Sequence, residues 1–282
     1  MKLGFIDYYL DEWHANTYPE QIKKLSDGEI EVAFAFAEID SPSGLTTDAW
    51  CEKFGVKRCS SIEELTELSD GIVILSPDNC ERHEVLCKIP LASGKPCYVD
   101  KTFAPDKATA ERIFKNAEEH NTPCYSTSAL RYAPEYKDID KSSIEAISAW
   151  GYGLGGYSGF ENYSIHMLEP IMMLMDVAAD KVMMTFTGDN FYTLNILFKD
   201  GRSAVMSGYK KGSPFMMNIA ATPKSKLIKV ESDFFSFFHE ELVRFFKTKE
   251  ARVPHETTIN IMAVREAGIK AYSTPGVWVE VE

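Results

Sequence analysis

The sequence contains no apolar stretch long enough to span a bilayer. Its hydrophobic runs are broken every few residues, so no membrane helix and no membrane partner are expected. The opening residues, MKLGFIDYYL, lack a basic segment followed by an apolar one, so no export signal is expected and the expected location is the cytoplasm. Cysteine forms no CxxC pair. Its six copies, at positions 51, 59, 80, 87, 97 and 124, are scattered through the first half, which predicts free thiols in a reducing compartment. Positive charge is short: 30 Lys and Arg face 42 Asp and Glu, for a net charge of −12. That field repels a phosphate backbone and argues against a nucleic-acid partner. Glycine is missing from one telling place, the whole stretch between Gly4 and Gly28.

What is present is the material of a globular α/β protein. Of the 282 residues, 45% are hydrophobic and 26% charged, enough for one large domain or two ordinary ones with a real core. Strand-like runs at Leu3–Ile6, Glu31–Ala37, Gly71–Leu75, Pro96–Val99 and Cys124–Thr127 alternate with helical patterns. In YPEQIKKL, Pro19 stands where a helix can start. Ser61 followed by Glu64 is a capping box. Ala108, Ile113, Phe114 and Ala117 line one helical face with charges opposite. This alternation predicts a doubly wound parallel sheet covered on both faces.

After about residue 140 consecutive strands follow: SIEAISAWGYG, KVMMTFTG, NFYTLNILFKDG, RSAVMSGYK, PFMMNIAATP and SKLIKVE, with an Asp-Gly hairpin in FKDGR. Helical runs at His166–Ala178, Phe234–Lys247 and Asn260–Ser273 flank them, and the tail GVWVEVE is a further strand able to join either sheet. The expected division is 1–125, Rossmann-like, and 126–282, an α+β domain with an open, largely antiparallel sheet.

Residues 69–135 carry a sequence of signals: Ser76-Pro77 after a strand, Asn79, His83, Gly94-Lys95, Asp100-Lys101-Thr102, then Arg131-Tyr132-Ala133-Pro134. In order and spacing they resemble the Gfo/Idh/MocA family, the proteins related to glucose–fructose oxidoreductase and inositol dehydrogenase. INIMAVREAGIKAYSTPGVWVEV is similar to that family's closing helix and strand. The resemblance implies a Rossmann domain followed by a domain with an open sheet, through which family members often pair, so a homodimer or higher homo-oligomer is expected. It also implies hydride transfer between NAD or NADP and a sugar, polyol or related hydroxylated metabolite.

Lys101 follows the strand PCYV, at the carboxyl edge where ligands bind such sheets. An ammonium there can orient a substrate hydroxyl and stabilise negative charge developing on oxygen, which is the role the resemblance implies for it. A surface lysine between strand and helix is the plain alternative. His166 begins a helix after the expected loop GGYSGFENYSI, and the resemblance likewise implies that it passes a proton at the substrate oxygen. Asn162 stands where the family has an aspartate. Asparagine can hold the ring but supplies no negative charge; Glu161 and Glu169 are the candidates to replace it. Arg131 and Tyr132 border the site by the same resemblance and could grip an anionic or polyhydroxylated ligand; alternatively Arg131 joins the two domains by an ion pair. Glu38, with Asp40 as competitor, ends the second strand and could accept the ribose hydroxyls of the cofactor. That would favour NAD over NADP. Ser76, Pro77, Asn79, His83 and Asp100 are further cofactor-binding candidates. Cys80, His83 and Cys87 share a helical face with metal-like spacing, but no fourth ligand is apparent and no metal is expected. The phenylalanines of DFFSFFHEELVRFF and the methionines of HMLEPIMMLMD read as core or dimer surface.

The turn after the first strand is the discordant part. Family members carry G-x-G-x-x-G there, and laid from Gly4 those glycines fall on Asp7, Tyr9 and Glu12. Each glycine serves a tight turn, a close approach to pyrophosphate or close helix packing. Asp7, Tyr8, Tyr9 and Leu10 are the cofactor-binding candidates in this turn, yet Asp7, Asp11 and Glu12 place negative charge at an anion-binding helix end. Two like charges ~4 Å apart cost about 4 kcal/mol at a protein-like dielectric, half of the roughly 8 kcal/mol of micromolar binding. The turn is expected to be a dinucleotide loop that has diverged. Either it still binds NAD or NADP in a weakened way, or the chain is a cofactor-free metabolite-binding or regulatory protein.

Overall fold

The near-continuous apolar runs of the first half form parallel strands because helices cover both sheet faces. In chain order they are β1 (Lys2–Asp7), α1 (Trp13–Leu25), β2 (Glu31–Ala37), α2 (Thr47–Phe54), β3 (Lys57–Arg58), α3 (Ile62–Leu68), β4 (Gly71–Ile74), α4 (His83–Leu91), β5 (Cys97–Val99), α5 (Lys107–Glu119) and β6 (Cys124–Tyr125). All pairings are parallel, in the order β3-β2-β1-β4-β5-β6. The order reverses between β1 and β4, so a crevice opens at their carboxyl ends. The computed structural model describes residues 1–151, 156–188, 191–209 and 213–282.

Local chemistry explains the helix starts. Ser61 Oγ accepts from the Glu64 N–H at 3.2 Å, while Glu64 Oε2 reaches back to the Ser60 N–H at 2.8 Å, a capping box shifted by one residue at its return arm. In α1 the structure departs from expectation. The helix begins at Trp13, and Pro19 lies inside it. Glu12 moves the start upstream by capping the first turn, and Pro19 then removes only one interior N–H donor.

The second half supplies β7 (Ile144–Gly151), α6 (Gly156–Tyr163), α7 (Ile165–Met175), β8 (Ala179–Phe186), β9 (Phe191–Phe198), β10 (Ser203–Tyr209), β11 (Met216–Ala221), β12 (Lys226–Lys229), α8 (Phe234–Thr248), α9 (His255–Tyr272) and β13 (Trp278–Glu280). The sheet order is β12-β11-β7-β10-β9-β8-β13, antiparallel except for β7 with β10. Burial alternates along β7, β9 and β10, the signature of a sheet covered on one face. The Asp200-Gly201 turn joins β9 to β10, with the Phe198 N–H donating to the Arg202 carbonyl at 2.9 Å. The tail strand, left open between two sheets by the sequence, pairs with β8. A loop was expected before His166; residues 156–163 instead form α6, anchored by Phe160, whose ring lies 5.3 Å from that of Tyr192. Gly155 of that loop, and Tyr152, Gly153, Asn190 and Lys210 at the ends of expected strands, lie outside the described residues.

The chain divides into two compact units, Met1–Thr127 with Phe238–His255, and Ser128–Phe237 with Glu256–Glu282. The first boundary falls close to the expected residue 125, but Phe238–His255 belongs with the parallel sheet. Its phenylalanines explain why: the Phe238 ring lies 5.7 Å from Tyr18, the Phe245 ring 4.7 Å from Tyr125, and Phe246 covers Gly71. All three are fully buried, as are Met167 and Met175 in α7, so these members of both residue runs serve as core. Among the described residues no helix is long and apolar enough to cross a membrane.

Candidate functional site

The carboxyl edge of the first unit brings together most of the residues singled out from the sequence. Asp7 ends β1 and is buried. Its Oδ1 accepts from the Ser76 N–H at 3.0 Å and the Ser76 hydroxyl at 3.2 Å, and that hydroxyl oxygen accepts from the Tyr8 N–H at 2.8 Å. Asp7 Oδ2 has no hydrogen-bond partner among the described residues. Burial pushes the Asp7 carboxyl well above the usual carboxylate range, the Glu12 charge adds to this, and the bonds from Tyr8 and Ser76 oppose it. Ser76 holds a left-handed backbone conformation with φ of 62°, uncommon for a non-glycine residue. Asp7 and Ser76 thus stitch together the ends of β1 and β4, the two strands flanking the reversal of sheet order.

The residues after β1 close on the start of α1. Glu12 Oε2 accepts from the His14 N–H at 2.8 Å, and Oε1 accepts from the Ala15 N–H. The same Oε2 lies 2.8 Å from His14 Nδ1. The other ring nitrogen, Nε2, is 3.8 Å from Asp100 Oδ2. Asp100 follows β5 and is buried; its Oδ1 accepts from the Tyr98 hydroxyl at 3.1 Å. Burial and then the Asp100 charge raise the Tyr98 pKa well above its ordinary value, so that hydroxyl stays a donor. Asp11 turns the other way and accepts from the Leu45 N–H at 2.7 Å and from Asn16 Nδ2 at 2.9 Å. Leu10 is buried, and Tyr9 stands near Asp78, Asp7 and Glu12, whose charges add to burial in raising its pKa.

Glu38, expected at a ribose, is held by Arg82: Nε to Oε2 at 2.8 Å and Nη2 to Oε1 at 2.5 Å, a two-pronged pair. The Arg82 guanidinium also lies 5.9 Å from the Tyr8 ring centre. Asp40 accepts from the Thr47 N–H at 2.7 Å. Asn79 reaches Glu81 Oε1 at 3.2 Å. His83 is fully buried, with Nδ1 2.9 Å from the Phe103 carbonyl and Nε2 2.5 Å from the Leu75 carbonyl. Burial lowers its pKa against the pull of both carbonyls, and neither ring nitrogen is left for a ligand. Lys101 is nearly buried, and its Nζ lies 3.4 Å from the Pro77 carbonyl. Lys101 therefore faces the end of β4 within the same edge instead of being a solvated connector.

The second unit holds the other candidates. His166 lies in the first turn of α7, and its Nδ1 is 2.8 Å from Ser128 Oγ, a partner the sequence reading missed. Asn162 sits on α6. Arg131 Nη1 pairs with Glu169 Oε1 at 3.0 Å with Glu169 buried, so the ion pair lies within the second unit and joins a short helical turn to α7. Tyr132 ends that turn. Glu161 contributes its carbonyl to Arg265 Nε at 2.9 Å. Among the described residues no group of three or more His, Cys, Asp and Glu is placed to hold a metal ion.

A Rossmann-like unit with a crevice at the β1–β4 reversal, joined to a unit built on a seven-stranded mixed sheet, defines the fold class. No family model and no curated protein sequence matches the chain. Solved structures share the fold over its full length. The apo scyllo-inositol dehydrogenase of Lactobacillus casei superposes with a TM-score of 0.78 at 14% identity, covering 99% of this chain and 98% of its own. UDP-N-acetylglucosamine 3-dehydrogenase from Acidithiobacillus ferrooxidans gives 0.78 at 12% identity, with 96% and 97% covered. GenD2 from gentamicin A biosynthesis, in complex with NAD, gives 0.76 at 13% identity, with 100% and 97% covered.

Whether a dinucleotide suits this chain is decided at α1. In a Rossmann unit the pyrophosphate sits on the N–H groups at that helix end. Here Glu12 takes the His14 and Ala15 N–H groups, Arg82 takes Glu38, and Asp7 is buried beside Glu12. In this arrangement the residues do not fit a pyrophosphate.

Proposed function

We propose that the chain is an oxidoreductase acting on a sugar, polyol or related hydroxylated metabolite, with a nicotinamide dinucleotide, NAD before NADP, as its redox partner. Lys101 carries the proposal: a buried ammonium at the carboxyl end of β5, where the resembled family has Glu-Lys-Pro and this chain keeps the lysine between Asp100 and Thr102. An ammonium held there by a carbonyl donates to a substrate oxygen and stabilises charge developing on it. His166, held through Nδ1 by Ser128, is the proposed proton carrier. Arg131 and Tyr132 are proposed to line the substrate side, and Asn162 to support His166 from α6. The whole-chain likeness to dehydrogenases of inositol and of nucleotide sugars supports the substrate class.

The test is turnover of inositols, aldoses and nucleotide sugars by purified protein at saturating NAD or NADP. Lys101→Ala is expected to lower turnover roughly 100-fold or more with an unchanged circular dichroism spectrum. Near-normal turnover of that variant removes Lys101 from the chemistry. One observation favours a second reading, a metabolite-binding protein without a cofactor: the Glu12 cap on α1. Calorimetric binding of a polyol with no turnover under any cofactor supports that reading instead.

A further inference from the structure

We propose that Glu12 is a built-in occupant of the pyrophosphate position, an autoinhibitory contact that a dinucleotide must displace before it can bind. The proposal rests on the oxidoreductase function proposed above, and adds to it a control on cofactor entry.

Several independent observations converge on this contact. The Glu12 carboxylate is itself an anion, and both of its oxygens lie on backbone N–H groups of the first turn of α1. Those N–H groups carry the positive end of the helix dipole, the feature a bound phosphate uses. An intramolecular carboxylate is present at high effective concentration and needs no ordering of a second molecule. The position is locked from other sides. His14 Nδ1 lies on the same Glu12 oxygen. The loop backbone is tied to the ends of β2 and β4, by the Ile39 N–H on the Tyr8 carbonyl at 3.0 Å and the Tyr8 N–H on Ser76 Oγ at 2.8 Å. The Glu12 N–H closes a tight turn on the Leu10 carbonyl at 2.8 Å. Asp7 lies close enough for the Glu12 charge to act on it, and the Glu12 charge would repel an incoming phosphate. Asp11, in the same turn, touches no N–H of α1; it serves Leu45 and Asn16. Loop charge and helix-end occupancy are therefore separable by substitution.

Glu12→Ser is the decisive variant, because a serine hydroxyl still caps a helix while offering no charge and little bulk. Asp11→Asn is the control, since it removes one charge from the loop and frees no helix N–H. NADH and ADP-ribose, which carries the adenosine and pyrophosphate without the nicotinamide, are titrated calorimetrically into the full-length protein and each variant. The expected result is roughly tenfold or greater tightening of both ligands in Glu12→Ser, with Asp11→Asn within about twofold of the unaltered protein. Equal tightening in both variants means that charge alone matters and overturns the proposal. Micromolar binding by the unaltered protein that Glu12→Ser does not improve overturns it too, and leaves the oxidoreductase function standing. No binding by any of the three overturns it together with the nicotinamide requirement. Should Glu12→Ser fold poorly by circular dichroism, Glu12→Gly, which removes the side chain and its charge at little cost to a helix start, carries the same expectations.

Discussion

Asp7 shows how one residue records its surroundings. A carboxyl buried at the end of β1, with hydrogen bonds on one oxygen alone among the described residues, favours its protonated form, so its pKa in the folded chain stands above the unfolded value. Between those two values the folded state binds more protons than the unfolded state. Stability therefore rises as pH falls from above the folded pKa towards the ordinary aspartate range, by no more than about 1.4 kcal/mol per pH unit for one proton. Urea unfolding of the protein and of Asp7→Asn across mildly acidic pH measures this. The protein is expected to gain stability relative to the variant on acidification, and a pH-independent difference would show that Asp7 titrates normally. The sequence placed Asp7 where the resemblance expects a glycine but did not show its burial, because Ser76, which hydrogen-bonds it, lies just past the end of another strand. Glu38 and Lys101 were likewise found at strand ends, whereas Arg82 on Glu38 and Ser128 on His166 come from distant chain positions.

At the scale of elements, periodicity and capping carried most of the information. β2 runs over the residues its apolar pattern predicts, and α3 is capped by Ser61 as its capping signal requires. β3 escaped notice because two exposed residues have no apolar pattern to read. α6 was read as loop because Gly156 and Gly159 lower helix propensity; the pocket that receives Phe160 supplies what propensity lacks. That pocket exists because Gly268 of α9 has no side chain: a Cβ there would overlap the Phe160 ring. Gly268→Ala is therefore expected to destabilise the protein by about 1–3 kcal/mol through overpacking, despite the higher helix propensity of alanine. Denaturant titration checks it, and a stabilised variant would mean that Phe160 moves aside freely.

At the scale of the whole molecule, the units are not continuous stretches of sequence. Phe238–His255 completes the first unit from the far end of the chain. Burying a phenylalanine stabilises by about 1.5–3 kcal/mol, so losing Phe238, Phe245 and Phe246 removes an amount comparable to a typical domain's net stability of about 5–15 kcal/mol. Residues 1–127 made alone are expected to lack a cooperative urea transition, and a flexible linker to 238–255 to restore it. A cooperative transition in the short fragment would show that the phenylalanine helix is dispensable. By itself, the sequence determined the strand–helix alternation, the antiparallel second half and the capped helix starts, because these depend on spacing within a few residues. Only the tertiary structure decided that Glu12 takes the start of α1, that Arg82 takes Glu38, and that the last helices divide between the two units. Those outcomes depend on which surfaces and charges meet across long chain separations, which local patterning does not encode.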